Sequence, residues 1–455
     1  MIVSQPTHIR FIDTIFRLLL AFSPIFLGGN RSLPLLAIQL ISIVLLFSLV
    51  GGRVFFKSAP PRFVWFAILL LALPAIQLIP IPFSLWHQIN TFKFYGDTLL
   101  GMVSDPGDHF FSLTLIPFST VNSLITLLGP MSIFAYVIAQ PSERLASVVK
   151  FLVGIALTEA LLGLAQFGTG PMSIMRFGPA IGSVSAAGTY ANRDHFAGLM
   201  EMALCINLAL IFGVMNRSIS SWKKVVESSS APAFLAYVST FIVIALGLIF
   251  SQSRAGIALG ILSTIAFTAI FSYRLRQSSQ MSLIKFIFLI VLLSALSVGI
   301  VPILERFTQD PMSDLRYPMY VKSIEVIQHF FPWGSGVGTF SEVFERFKDV
   351  TLNGVFINHA HNDYLEWFIE GGLYAMALIA LFIVLVCMQW RRILSIQSLR
   401  TYHFIKVGAG IGMCAMMLHS LVDFNLHIPA NQIFFAVLVG LFFHEPREEA
   451  PVSSP

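Results

Sequence analysis

Charged residues are scarce in this sequence. Asp, Glu, Lys and Arg make up 11% of the 455 residues, while 56% are hydrophobic. A soluble domain carries roughly 25% charged residues, so this composition excludes an ordinary soluble protein. Cysteine is scarcer still. Cys205, Cys387 and Cys414 lie inside apolar runs, at spacings that fit neither a zinc site nor a disulfide framework.

Several signatures of known chemistry are missing as well. The sequence contains neither the G-x-S-x-G serine motif nor the H-E-x-x-H zinc motif. The net charge of +5 does not indicate nucleic-acid binding, because the basic residues lie in short loops between apolar runs. No cleavable signal peptide is apparent, and the first apolar run is predicted to remain as a span.

Long apolar runs recur along the chain, each close to the roughly 20 residues that cross a bilayer as a helix. We predict an all-α polytopic membrane protein of about twelve transmembrane helices. A single domain covers 1–445, and a cytoplasmic tail follows at 446–455. The predicted spans are 11–28, 33–50, 63–82, 119–139, 145–167, 194–214, 231–250, 255–273, 284–304, 362–388, 404–421 and 428–444.

The distribution of Lys and Arg predicts the orientation. Alternate loops hold 18 of the 28 basic residues, and the positive-inside rule places those loops and both termini in the cytoplasm. The polar loops at 83–118, 168–193, 251–256 and 305–361 then face outward. In the long loop, an amphipathic helix is predicted from Tyr320 to Phe331, with Val321, Ile324 and Val326 among its apolar positions. The aromatic loop 83–118 is assigned no chemistry.

The stretch NHAHNDYLEWFIEGG, at 358–372, places polar side chains at the entrance of a predicted span. Polar groups are costly inside a membrane, so the cluster indicates a wet functional cavity. The alternative is an ordinary helix N-terminus with Asn358 as its cap, but a cap does not account for His359 and His361. On a helix, these two histidines would lie on different faces and would not share a metal ion.

Three arginines, Arg193, Arg254 and Arg316, are candidates for binding an anion. Arg254, in the SQSRAG turn, is the single charge between Glu227 and Arg274, and a guanidinium forks well onto phosphate oxygens. Arg193 follows Asn192, a candidate cap, in GTYANRDHFAGLMEM. Snorkelling to lipid headgroups is the alternative for both residues.

Two acidic residues have open interpretations. Glu159 lies within a predicted span, where it is either functional or hydrogen-bonded to a neighbouring helix. Asp423, in HSLVDFNLHIPAN, follows His419 by four residues, so a mutually satisfied pair on one helix face is the alternative to a functional role.

Arginines beside a histidine suit the binding of a diphosphate while an oxygen nucleophile loses its proton. The arginines would stabilise the leaving pyrophosphate as its charge develops. A neutral histidine acting as general base contributes roughly 10²–10⁴-fold. The glycine-rich PWGSGVGTF turn is weak evidence for a phosphate cradle, because no predicted strand precedes it and it lacks the lysine of a P-loop.

Four stretches make the chain resemble the O-antigen ligase and O-antigen polymerase superfamily of bacterial inner-membrane glycosyltransferases. The most specific is an arginine-led helix with a proline- and glycine-rich turn, followed by H-N-x-Y-L-E at the start of a span. The first half of the chain matches only in hydropathy. The stretches, which together cover roughly 188–431, are GTYANRDHFAGLMEM, SQSRAG, RYPMYVKSIEVIQHFFPWGSGVGTF with NHAHNDYLEWFIEGG, and HSLVDFNLHIPAN.

The resemblance implies transfer of a glycan from undecaprenyl diphosphate to an acceptor hydroxyl on the periplasmic face, in lipopolysaccharide or exopolysaccharide biosynthesis. It implies no metal and no cofactor. His361 matches the base and Arg254 the diphosphate ligand, while Arg316 leads the loop helix. Arg193 stands where many members have proline. The remaining predicted substrate contacts are His359, Asn362, Asp363 and Asp423.

The resemblance leaves the acceptor open among lipid A–core for a ligase, a growing glycan for a polymerase, and a protein hydroxyl. A secondary transporter is the competing class, and twelve spans with Glu159 inside one would suit it. Transporters usually carry internal repeats, however, and the two halves of this sequence show no similarity. A structural component without catalysis is the third hypothesis, and it requires that His361 be dispensable.

Overall fold

The computed structural model describes residues 7–51, 60–102, 109–217, 226–275, 315–396 and 401–445. Helices dominate these residues, and their two short strands, β1 (Ile81–Pro82) and β2 (Phe110–Phe111), pair antiparallel. The prediction of an all-α fold is therefore confirmed.

The helices follow the predicted apolar runs. Eleven of the twelve predicted spans coincide with a helix, and the span predicted at 284–304 lies outside the described residues, as do 305–314 of the long loop and the tail at 446–455. In chain order the α-helices are α1 (Thr7–Ile25), α2 (Ser32–Gly51), α3 (Pro61–Gln77), α4 (Phe83–Trp86), α5 (Asn90–Met102), α6 (Pro117–Ala139), α7 (Ser142–Thr169), α8 (Arg193–Arg217), α9 (Ala231–Phe250), α10 (Arg254–Leu275), α11 (Arg316–Phe330), α12 (Phe340–Phe344), α13 (Asp363–Ser395), α14 (Thr401–His419) and α15 (Pro429–Phe443).

Length and hydropathy identify the membrane helices. Seven of the described helices are long and apolar enough to cross a membrane, namely α2, α6, α7, α8, α9, α10 and α13. Two shorter helices, α3 and α15, are also apolar. The chain is thus a polytopic membrane protein, while the count of twelve spans and the single domain over 1–445 remain predictions.

Helix α8 lies at the centre of the bundle, with 94% of its apolar stretch buried. It packs against α14 through small residues, which let helix backbones approach closely. A Cβ atom added to Gly408 of α14 would lie only 2.6 Å from the carbonyl oxygen of Cys205 on α8. Towards the other end of this contact, Gly198 lies beside Met416. The two helices are therefore antiparallel, which brings the start of α8 beside the end of α14.

The amphipathic helix predicted in the long loop, lying against the membrane or the bundle, is present as α11. Its buried residues are Met319, Ser323, Val326 and Phe330, at the spacing of one helix face. Val321 and Ile324, two of the predicted apolar positions, are exposed on another face. The apolar sequence pattern covered more of the helix surface than the neighbouring elements cover.

The glycine-rich turn at 332–338 packs against a break in α13. At Gly372 the backbone has φ 53° and ψ −141°, which interrupts the helix. The turn compensates for the break, because Ser335 N–H donates to the carbonyl of Ile369 at 2.9 Å and Gly336 N–H donates to that of Glu370 at 3.0 Å. Leu373 N–H donates to the carbonyl of Pro332 at 2.9 Å. Backbone groups that a phosphate cradle would need are thus used to stabilise the broken helix.

We expect Gly372→Ala to lower the thermal stability of the protein. A Cβ atom at this position would lie 2.1 Å from the carbonyl oxygen of Pro332, and the positive φ is strained for any L-residue. Strain of this kind costs about 1–3 kcal/mol. Thermal unfolding in detergent checks the expectation, with Gly154→Ala in α7 as control, since a Cβ atom there meets nothing within 4 Å. Equal melting temperatures for the two variants would contradict it.

The aromatic loop 83–118 forms a small cluster of its own around Phe83, Trp86 and Phe92. Its last residues connect to the glycine-rich turn, because Leu115 N–H donates to the carbonyl of Ser335 at 2.9 Å. The loop therefore helps to hold the glycine-rich turn that packs against the break in α13.

Candidate active site

Four polar stretches that are distant in sequence meet at one end of the bundle, around Asp423. His361 Nδ1 lies 3.3 Å from Asp423 Oδ1, and His195 Nε2, in the first turn of α8, lies 3.8 Å from the same atom. The hydroxyl of Tyr320 on α11 donates to the carbonyl of His361 at 2.8 Å. Gly256, near the start of α10, packs on the first turns of α8.

The polar stretch 358–362 precedes α13 and is not part of the helix. Asn362 caps α13, since its Oδ1 accepts from the N–H groups of Tyr364 at 3.0 Å and Leu365 at 3.1 Å. The prediction of Asn358 as the cap is therefore wrong by one turn. The Asn362 amide also donates to the carbonyl of Leu421 at 2.8 Å. Both ends of this side chain are engaged within the protein, and its predicted role as a substrate contact remains a prediction.

His361 and Asp423 form a histidine–carboxylate pair at the edge of the site. The Asp423 side chain is 1% exposed and the His361 side chain 27% exposed. Burial raises the pKa of Asp423, but the contact with His195, the hydrogen bond with His361 and the charge of His419 outweigh it and hold the pKa well below its ordinary value. The contact of His195 is too long for a hydrogen bond, so we attribute its effect to charge alone. Asp423 thus stays ionised and fixes the His361 ring with Nδ1 inward.

The backbone of His361 is itself unusual, with φ at +49°. A non-glycine residue in this region is uncommon, and strain of this kind costs about 1–3 kcal/mol and clusters at functional sites. The hydrogen bond from Tyr320 to the His361 carbonyl helps to hold the strained conformation. This backbone conformation directs the side chain towards Asp423 rather than along α13.

A second cluster of histidines and carboxylates lies beside the first. His427 Nδ1 contacts Asp363 Oδ1, and His427 Nε2 lies 3.3 Å from Glu366 Oε1. His359 Nδ1 lies 2.8 Å from that same Glu366 oxygen. Burial lowers the pKa of His427, but the carboxylates of Glu366 and Asp363 outweigh it and raise the pKa to about 10. An imidazolium between two carboxylates therefore ties the start of α13 to the turn at 425–427.

The second cluster has the residue types of a metal site. His359, Glu366 and His427 each offer one ligand atom, and these atoms lie within 4.8 Å of one another. Asp363 would orient the His427 ring as carboxylates do beside metal-bound histidines. The same four side chains also satisfy one another by charge, so the geometry does not require an ion. The expectation of no metal remains a prediction.

Phe424 lies between the two clusters. The rings of His195, His359 and His361 surround it, with centroids 4.5, 4.3 and 4.7 Å from its own. Neither Phe424 nor His427 was predicted from the sequence as a site residue. The feature that could have identified both residues is their position in the HSLVDFNLH stretch, close to Asp423.

Two predicted alternatives can be compared with the structure. His419 does not pair with Asp423, because α14 ends at His419 and the chain turns before residue 423; His419 Nδ1 instead lies 3.2 Å from Glu201 on α8. Glu159 accepts hydrogen bonds from the N–H and the hydroxyl of Thr189, both at 2.8 Å. This favours the hydrogen-bonded interpretation of Glu159, with a loop rather than a helix as its partner.

Each of the three predicted arginines is the first residue of a helix. Arg193 begins α8, Arg254 begins α10 and Arg316 begins α11, and each is half-buried. The first turns of these helices contact the surroundings of Asp423 and His361 described above. The structure therefore places the three arginine-bearing helix starts at the same end of the bundle as the histidines.

Two cavities adjoin the site. One is polar, has a volume of about 200 Å³, and is lined by His359, Glu366 and His427 among other side chains. The other is mostly apolar, has a volume of about 210 Å³, and runs between α3, α6, α13 and α15. Trp367 and Gln432 line both.

Residues 239–380 match the model of the O-antigen ligase family. This stretch is similar to that family. The match confirms the resemblance to the O-antigen ligase and polymerase superfamily, and it supports glycan transfer at a membrane as the general class of activity. No curated protein matches the chain.

The O-antigen ligase match covers less than half of the chain. It includes Arg254, Arg316, His359 and His361, but it ends before Asp423 and begins after α8. The pairing of His361 with Asp423 is therefore a feature of the folded structure that the family match does not contain.

Proposed function

We propose that this protein transfers a glycan from undecaprenyl diphosphate to an acceptor hydroxyl, on the periplasmic face of the bacterial inner membrane. One observation carries the proposal: His361 directs Nδ1 to a buried, ionised Asp423. Among the described residues, its other ring nitrogen, Nε2, has no hydrogen-bond partner, and the side chain is partly exposed. This is the arrangement of a general base that a carboxylate orients.

The reaction follows from that geometry. Nε2 of neutral His361 accepts the proton of the acceptor hydroxyl, and the resulting oxygen nucleophile attacks the anomeric carbon of the donor sugar. The bond from that carbon to the diphosphate breaks, and undecaprenyl diphosphate leaves with the bonding electrons. Asp423 stabilises the imidazolium that forms. Attack opposite the leaving group inverts the anomeric configuration, and the step needs neither metal nor cofactor.

The diphosphate requires positive charge, and Arg193, Arg254 and Arg316 supply it. Each begins a helix, so the partial positive charge of the helix N-terminus adds to that of the guanidinium. The apolar cavity, lined in part by Phe66, Leu378 and Phe382, offers the isoprenoid chain an apolar surface beside the site.

A ligase is the form of the function we propose first, and a polymerase of the same superfamily is the alternative. Reconstitution with an undecaprenyl-diphosphate-linked glycan in the presence of EDTA distinguishes them, with lipid A–core and free repeat unit offered separately. Product on lipid A–core indicates a ligase, and chain growth indicates a polymerase. A metal requirement would contradict the mechanism, and the absence of product with every acceptor would contradict glycan transfer and direct attention to transport.

Arg254→Lys tests the diphosphate contact. A lysine keeps the charge but loses the two-pronged hydrogen bonding of the guanidinium, so we expect transfer to fall by about tenfold or more. Initial rates in proteoliposomes measure the loss. The control is Arg62→Lys, whose arginine pairs with Glu445 outside the site. Wild-type rates for Arg254→Lys would make Arg254 a membrane anchor.

A further inference from the structure

The polar cavity beside His359 carries hydrogen-bonding groups that the protein leaves unused. Among the described residues, no hydrogen bond engages the side chains of Asn30 and Asn358, both of which line it. Gln432 donates to the carbonyl of Leu426 at 2.6 Å, yet its buried Oε1 has no partner among the described residues. A buried acceptor without a donor costs stability, so such groups are typical of a surface that awaits a ligand.

The other walls of the cavity restrict the chemistry of that ligand. Trp367 contributes an indole. The hydroxyls of Ser341 and Thr126 also line the cavity, but they donate to Glu342 and to the carbonyl of Asn122. A side-chain amide both donates and accepts, which matches a ligand rich in hydroxyl groups. An indole supplies a flat apolar face for the C–H side of such a ligand. The volume of about 200 Å³ lies below the range of roughly 300–1,000 Å³ that drug-sized ligands occupy, so the cavity suits one ring rather than a chain.

We propose that this cavity is a subsite for one sugar residue, held by Asn30, Asn358 and Gln432 against Trp367. The subsite rests on the proposed function, because its place beside the base is what gives it a glycan to bind. His359 lines the cavity, and the rings of His359 and His361 both contact Phe424, at 4.3 and 4.7 Å between centroids. A sugar in the cavity therefore contacts His359, which is connected to the proposed base His361 through the ring of Phe424. It belongs either to the donor glycan or to the acceptor.

Two substitutions test the subsite, one by removing a hydrogen-bonding group and one by filling the cavity. Asn358→Ala removes a hydrogen-bonding group from the wall, and its matched control is Asn353→Ala, an equally exposed asparagine of the same loop outside the cavity. Ser341→Trp fills the cavity, and its control is Ser84→Trp, at an exposed serine outside the cavity. We measure KM in proteoliposomes for undecaprenyl-diphosphate-linked O-antigen repeat and for lipid A–core, each titrated with the other held at saturation.

We expect Asn358→Ala to raise one of the two KM values by about three- to tenfold, the effect of one lost hydrogen bond. Ser341→Trp should raise the same KM further, while both controls match wild type. A rise confined to the donor assigns the subsite to the donor sugar, and a rise confined to lipid A–core assigns it to the acceptor. Unchanged KM values in both variants would overturn the subsite while leaving the proposed function intact.

Binding without turnover separates the two proposals. Free O-antigen repeat oligosaccharide and core oligosaccharide are titrated calorimetrically into nanodiscs that contain the His361→Ala protein, with and without Ser341→Trp. Loss of binding on filling the cavity supports the subsite even if the wild-type protein transfers no glycan. Equal binding in both proteins, or no binding to either, would overturn it.

Discussion

His361→Ala is expected to lower the rate of glycan transfer by about 10²- to 10⁴-fold, the range that a positioned general base contributes. Alanine removes the nitrogen that takes the proton of the acceptor hydroxyl but leaves the donor contacts in place. The loss should therefore appear in kcat, with the KM for the donor little changed. Single-turnover rates in proteoliposomes, with lipid A–core as acceptor, measure it.

The control for this variant is His109→Ala, since His109 is exposed and lies in the aromatic loop away from the site. Expression, membrane insertion and melting temperature of both variants should match wild type. Added imidazole should restore part of the activity of His361→Ala, because it replaces the missing base. It would restore no activity if the variant were inactive through misfolding. Near-normal transfer without His361 would end its assignment as the base.

The membrane helices could be predicted because their determinant is local. A run of apolar residues flanked by polar ones specifies a span without reference to the rest of the chain. The span predicted at 231–250 is α9, Ala231–Phe250, and the span predicted at 119–139 is α6, Pro117–Ala139. The face that a helix buries depends on its neighbours instead, which is why the apolar pattern of α11 did not tell the buried Val326 from the exposed Val321 and Ile324.

The polar partnerships of the site could not be predicted, since each joins residues far apart in sequence. A pair with His419, four residues away, was one of two interpretations of Asp423, but its partner is His361, 62 residues away. His419 instead pairs with Glu201, 218 residues away, because α8 and α14 are antiparallel. Local spacing identified the right residues and the wrong partners, since the partners follow from how the helices pack.

The glycine-rich turn at 332–338 likewise has a local feature that the sequence shows and a distant partner that it does not. Its composition predicted a turn and was weak evidence for a phosphate cradle. Glycines let another backbone approach closely, but the sequence could not tell which segment does so. The structure places the broken segment of α13 there, with a Cβ on Gly334 lying 2.2 Å from the Glu370 carbonyl oxygen. A phosphate cradle and a helix support use the same backbone donors, and only the fold distinguishes them.

Asp423→Asn is the second substitution for which we expect a large effect, a loss of about 10²–10⁴-fold in kcat. The amide has the shape of the carboxylate but no charge, so it neither fixes the His361 tautomer nor stabilises the imidazolium. Because its pKa lies well below the ordinary value, Asp423 stays charged to strongly acidic pH in the wild-type protein. The measurement is kcat across pH, where the variant should remain slow at every pH.

A structural role for Asp423 would also lower activity, and a double-mutant cycle separates the two explanations. If Asp423 acts through His361, then adding Asp423→Asn to His361→Ala should cost almost nothing further, because the group that Asp423 orients is already gone. If Asp423 instead supports the fold around Phe424, whose N–H donates to Asp423 Oδ1 at 2.9 Å, the two losses should multiply and the melting temperature should fall. Multiplying losses would therefore remove Asp423 from the mechanism while leaving His361 in it.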